Sequence, residues 1–113
     1  MNKLKMAYFR AYQLTFKTVE RTFNWDEPEF IKGPGAIRRL PEFIKSKGLK
    51  KVLIVTDKGL MGIGLLNSLF EEMEKAGVEY VVYDGTQPNP TIDNIEEARQ
   101  LYVDNSCSAV IAF

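Results

Sequence analysis

Two short segments hold the residues whose types and spacing could do chemistry. The first, Thr56-Asp57-Lys58-Gly59-Leu60, places an acid and a base directly behind a β-branched apolar run. A carboxylate at the carboxyl end of a buried strand can accept hydrogen bonds from a ribose diol, and it repels a 2′-phosphate. The same carboxylate is equally suited to cap the turn or helix that follows it. The spacing leaves both roles open. The second segment, Asp84-Gly85-Thr86-Gln87-Pro88-Asn89-Pro90-Thr91, flanks Asn89 with two prolines. Prolines stiffen the backbone and hold the amide in one direction, which suits a group placed against a ligand. The competing role is a shaped turn, with Thr91 capping the next helix.

What is missing narrows the chemistry further. The chain has no histidine, which removes Ser-His and Cys-His catalysis, the usual catalytic zinc sites and the commonest proton shuttle. No carboxylate cluster has calcium-loop spacing, so neither catalytic residues nor metal ligands are assigned within the chain. The single cysteine, Cys107, stands before the apolar run 109–113 and reads as a buried structural thiol. It cannot form an internal disulfide, which favours a reducing compartment such as the cytoplasm. Gly33-Pro34-Gly35 lacks the third glycine of a dinucleotide fingerprint, and Gly59, Gly62 and Gly64 fit neither that fingerprint nor a P-loop. Gly62-Ile63-Gly64 reads as a turn into a helix. The formal net charge is zero, which gives no field to draw the protein to nucleic acid, and no apolar run is long enough to span a bilayer.

The elements that must position these segments follow a regular rhythm from residue 36 onward. Residues 36–47 read as helix, with Pro41 opening a new turn and Gly48 as the stop. Residues 51–56 are a strand buried on both faces. Residues 64–76 read as helix with Leu65, Leu66, Leu69, Met73 and Ala76 as its core stripe, and Gly77 ends it. Strand 78–83, helix 91–105 (Ile95, Ala98, Leu101 and Tyr102 inward) and strand 108–113 complete the series. Helices between strands make the connections crossovers and the sheet parallel. The fold class is therefore α/β, a parallel-sheet, Rossmann-like β-α-β-α-β half-domain. A further short strand is expected at 29–32.

Ahead of it, residues 1–23 form an amphipathic helix. Leu4, Tyr8, Ala11, Tyr12, Phe16, Val19 and Phe23 lie on one side, and Lys3, Arg10, Lys17 and Arg21 on the other. It carries five basic residues and one acid, Glu20. Docking on its own domain or a second subunit is the plainer reading; an anionic membrane surface or a targeting role is the alternative. Asn24-Trp25-Asp26-Glu27-Pro28 breaks the pattern. The domain reading is thus 1–27, a basic helix and linker, and 28–113, an incomplete α/β domain. The last strand is followed by no covering loop, so the chain reads as a truncation.

The ordered series Gly33-Pro34-Gly35-Ala36, Leu40-Pro41 and Val55-Thr56-Asp57-Lys58-Gly59 resembles the start of the iron-containing (group III) alcohol dehydrogenases. Tyr83-Asp84-Gly85, Pro88-Asn89-Pro90-Thr91 and Ala109-Val110-Ile111-Ala112-Phe113 extend the likeness from about residue 28 to the end. The resemblance implies a dehydrogenase that oxidises an alcohol or reduces an aldehyde or ketone by hydride transfer. Its cofactor would be NAD rather than NADP, with a second, helical domain holding iron or another divalent metal on ligands outside this chain. It implies that Asp57 holds the adenosine ribose, with Lys58 and Leu60 near the adenosine. Asn89 would lie by the nicotinamide end, with Pro88, Pro90 and Thr91 completing that loop. Small alcohols or aldehydes would be the partners, a homodimer is possible, and these residues alone would be inactive. The resemblance names no particular alcohol.

Two other assignments share the architecture. Glycerol dehydrogenases and dehydroquinate synthases have the same two-domain plan with zinc, but Pro88-Asn89-Pro90-Thr91 and Gly33-Pro34-Gly35 fit the alcohol dehydrogenases better. A receiver-type signalling module also has an aspartate after a strand, yet it needs clustered acids for magnesium, and here Lys58 follows Asp57.

Overall fold

The computed structural model describes residues 2–24 and 26–113; Met1 and Trp25, at the expected helix start and in the expected break, lie outside the described residues. The chain divides into two compact units, 1–30 and 31–113.

In the first unit, α1 spans Lys3–Glu20, capped by Asn2, whose side chain accepts from the Leu4 N–H at 3.4 Å. It contains no buried residue.

The second unit is built on three parallel strands, β1 (Lys51–Val55), β2 (Glu79–Tyr83) and β3 (Ala109–Ala112), in the order β2-β1-β3. Lys51 pairs with Glu79 through to Val55 with Tyr83, and Val52 with Ala109 through to Val55 with Ala112. The strand order explains the layering. Passing from β1 out to β2 and then back across to β3 reverses direction, and right-handed crossovers then put the two connecting helices on opposite faces. Val52 and Ile54 pack on one face with Ile44, Leu66, Leu69, Met73 and Val78. Leu53 turns to the other, with Tyr83, Cys107, Ala98, Leu101 and Tyr102. Because successive side chains alternate across the sheet, a central strand covered on both sides must be apolar throughout, and Val52, Leu53 and Ile54 are at most 1% exposed.

Residues 36–39 form a 3-10 helix that runs into α2 (Leu40–Ser46), with Pro41 in its first turn, where a missing N–H costs nothing. Gly48 and Gly77 stand past the helix ends at φ +72° and +70°, as expected of such stops. α5 (Ile92–Asp104) begins at Thr91 with a capping box: Thr91 Oγ1 accepts from the Asn94 N–H (3.4 Å) while Asn94 Oδ1 accepts from the Thr91 N–H (3.3 Å).

Four expectations need correction. Residues 29–32 join no ladder. Their apolar pair, Phe30 and Ile31, is adjacent, so in an extended chain it points to opposite faces and offers neither face enough to bury. The helix expected at 64–76 begins three residues later, as α4 (Asn67–Ala76), and a separate short helix, α3 (Lys58–Gly62), precedes it. Gly64 at φ +70° interrupts them. The break leaves Leu65 outside the stripe, 53% exposed, while Leu66, Leu69 and Met73 are buried. On α5 Ile95 is 61% exposed: it lies on the side of Ala98 and Tyr102, beside Val55, but in a hollow open to solvent rather than in the core.

Candidate functional site

The loop leaving β1 leads to one face of the sheet and the loop leaving β2 to the other. Between them, at the carboxyl ends of the strands, opens a cleft of about 450 Å³ lined by Asp57, Lys58, Gly59, Thr86, Gln87 and Pro88. Two ties hold the loops together. The Thr56 N–H donates to the Tyr83 carbonyl at 2.8 Å, and Asp57 bridges Gly85 in antiparallel fashion just past the strand ends. A cleft in this position is where open parallel sheets bind ligands.

Asp57 has extended backbone (φ −122°, ψ 165°) and is the N-cap of α3, its Oδ1 accepting from the Leu60 N–H at 2.9 Å. The capping role left open by the sequence is therefore filled. It does not exclude the other, because a carboxylate has two oxygens and about four acceptor positions, and Asp57 also lines the cleft. A Cβ added at Gly59 would stand 3.0 Å from Asp57 Oδ1, so a side chain there would crowd the carboxylate.

The second loop is less buried. Asn89 is exposed and held at φ +58°, a left-handed conformation that asparagine tolerates better than most residues. Neither Asn89 nor Thr91 lines the cleft. Pro90 lies with Thr86, Val55, Tyr83, Asn94, Ile95 and Ala98 around a smaller apolar hollow of about 270 Å³. Leu60 is half-buried and touches the cleft only through its N–H to Asp57. Of the seven residues singled out from sequence, the cleft thus gathers Asp57, Lys58 and Pro88, and leaves Leu60, Asn89, Pro90 and Thr91 at its margin. Gly59, Thr86 and Gln87 were missed. Their signal was position alone, since each adjoins a chosen residue in a loop at the same sheet edge.

Beneath the cleft, the Tyr83 hydroxyl donates to Glu97 Oε2 of α5 at 2.6 Å. That bond, together with desolvation and the nearby carboxylate charge, raises the phenol's pKa. Gly85 makes room for the ring: a Cβ there would fall 2.8 Å from the Tyr83 hydroxyl. Thr56 Oγ1 is buried without a hydrogen-bond partner. Cys107, 7% exposed, has its pKa raised by burial, in keeping with a structural thiol. Among the described residues no group of three His, Cys, Asp or Glu side chains could hold a metal ion.

A three-stranded parallel sheet with helices on both faces and a cleft at its carboxyl edge defines the class of a Rossmann-like α/β fold, and the comparisons with known proteins narrow it. The family model of iron-containing alcohol dehydrogenases matches residues 28–113, and the chain belongs to that family. It is 30% identical over 97 residues to choline dehydrogenase of Bacillus subtilis, covering 85% of this chain and 24% of that protein. Among solved structures it resembles an alcohol dehydrogenase from Oenococcus oeni (41% identity, TM-score 0.65, 71% of this chain and 21% of that one). It also resembles an NADH-dependent butanol dehydrogenase from Thermotoga maritima (30% identity, TM-score 0.70, 79% and 23%). The chain thus spans about a quarter or less of the length of these relatives.

Proposed function

We propose that these residues supply part of the cofactor site of an NAD-dependent, iron-containing alcohol dehydrogenase, which interconverts an alcohol with an aldehyde or ketone by hydride transfer. The observation that carries the reading is Asp57: a carboxylate directly after β1, lining the cleft between the two loops. Its free acceptor positions suit the adenosine ribose diol, and its charge opposes a 2′-phosphate. The similar NADH-dependent butanol dehydrogenase of Thermotoga maritima supports the same preference.

Lys58 and Leu60 flank the adenosine end in this reading. Pro88, Asn89, Pro90 and Thr91 border the nicotinamide end, with the Asn89 amide held by its two prolines. The nicotinamide, when bound, supplies the hydride acceptor; this chain's residues bind and orient it. Metal ligands come from residues outside this stretch, so the 113-residue chain alone is inactive. A homodimer in the cytoplasm acting on small alcohols completes the proposal.

The test is nucleotide binding by the whole protein, followed by fluorescence of the reduced cofactor. NADH should bind more tightly than NADPH, and short alcohols should reduce NAD. Preference for NADPH would overturn the ribose role of Asp57. Zinc in the purified protein with no alcohol oxidation would overturn the reaction.

A further inference from the structure

We infer that α1 is an interfacial helix that lays its aromatic face on an anionic lipid surface. Leu4, Tyr8, Tyr12, Phe16 and Val19 recur at spacings of three and four on one side of the helix, and all are between 45% and 79% exposed. Phe9 widens that face beside Phe16, at 51%. Lys3, Arg10 and Lys17 repeat every seven residues and, with Arg21, form a narrow stripe on the opposite side, which also takes in Leu14. Lys5 adds a fifth cation at the amino end of the aromatic side, where a long stem lets its ammonium reach outward. Glu20 is the sole acid of the stretch. None of these five cations is in an ion pair among the described residues.

Two features choose lipid over protein as the occupant. The first is charge. Pairing α1 with a second copy through the aromatic face would leave both basic stripes outward, five cations against one acid on each helix, with nothing to neutralise them. An anionic bilayer supplies the opposite charge along the whole length, about 27 Å for 18 residues at 1.5 Å each. The second is side-chain type. Tyr8, Tyr12, Phe9 and Phe16 dominate the apolar face, and tyrosine, apolar in body and polar at its tip, suits the headgroup boundary. Long basic side chains can reach up from a helix sunk to that depth. No described helix is long and apolar enough to cross a membrane, so the placement is along the surface.

The experiment is flotation of the whole protein with phosphatidylcholine vesicles, with and without phosphatidylglycerol. Binding is expected only with the anionic lipid and should be released by high salt. Each of the substitutions Lys3→Gln, Arg10→Gln, Lys17→Gln and Arg21→Gln should lower partitioning about fivefold. Tyr12→Ser with Phe16→Ser should abolish it. All six positions are exposed, so an unchanged urea midpoint is expected and separates loss of binding from loss of fold. Equal binding to neutral vesicles, no binding at all, or a salt-insensitive dimer that Tyr12→Ser with Phe16→Ser dissolves would each overturn the inference.

Discussion

Asp57 has two roles in this structure, one observed and one proposed, and two substitutions separate them. Asp57→Ala removes both the cap of α3 and the charge at the cleft. Loss of an N-cap side chain costs about 1 kcal/mol, within a range of roughly 0.5–2. The low end applies here, since α3 has only five residues and the lost bond is the single one from Leu60 N–H to Oδ1. Asp57→Asn keeps an acceptor oxygen in the same place, and asparagine caps as well as aspartate, so its urea midpoint should stay at the wild-type value. Its effect on NADH should be large. Hydrogen bonds to a charged acceptor contribute about 1.5–3 kcal/mol, so NADH should bind the whole protein roughly 10- to 100-fold more weakly. Because the charge that repels a 2′-phosphate is gone, NADPH should gain on NADH. Fluorescence titration with both cofactors, alongside urea unfolding, reads all three quantities. Wild-type NADH affinity in Asp57→Asn would refute the ribose role, and an unchanged midpoint in Asp57→Ala would refute the cap.

Two further outcomes follow from the packing under the cleft. Gly85→Ala should destabilise by about 1–3 kcal/mol in urea unfolding, since its Cβ would stand 2.8 Å from the Tyr83 hydroxyl and ring; an unchanged midpoint would show that the ring moves freely. Tyr83→Phe removes the bond to Glu97. The folded state raises the tyrosine pKa, so the wild type's contribution is full below the unfolded value near 10 and fades as pH climbs through the folded one. The substitution should flatten the alkaline fall in thermal midpoint above about pH 10 and leave the neutral-pH slope unchanged.

Most of the fold was legible because periodicity reports burial. The run 52–56 is continuous in apolar and β-branched residues, and its first four residues belong to the strand covered on both faces. Gly48 and Gly77 mark helix ends because the left-handed turn there favours a residue without a side chain. The failures come from short-range polar bonds that periodicity does not register. The α3 helix exists because the Asp57 carboxylate satisfies an N–H of the first turn, and its sequence, Lys-Gly-Leu-Met-Gly, holds two glycines that argue against helix. Ile95 is a different case: spacing placed it on the Ala98 and Tyr102 side, where it lies, but the hollow it lines beside Val55 is open and leaves it 61% exposed. At the cleft, Thr86 and Gln87 carry no distinguishing chemistry. They are brought to Asp57 by the pairing of β1 with β2, a long-range fact that no local pattern contains.

The second loop shows how such a frame fixes a backbone. Asn89 before Pro90 is held in a left-handed conformation, and a strained backbone of this kind persists only where its surroundings over-determine it. Here they do so from both sides. Upstream, the Asp57–Gly85 bridge and the Thr56-to-Tyr83 bond tie the loop to β1. Downstream, Thr91 and Asn94 lock the first turn of α5, and Glu97, on that same helix, takes the Tyr83 hydroxyl. Pro88 and Pro90 remove much of the freedom that remains. A loop fixed in this way loses little entropy when a cofactor settles against it, so more of the contact energy appears as affinity. In the proposed cofactor site the exposed Asn89 amide would be a preset group, held by residues that themselves lie away from the ligand.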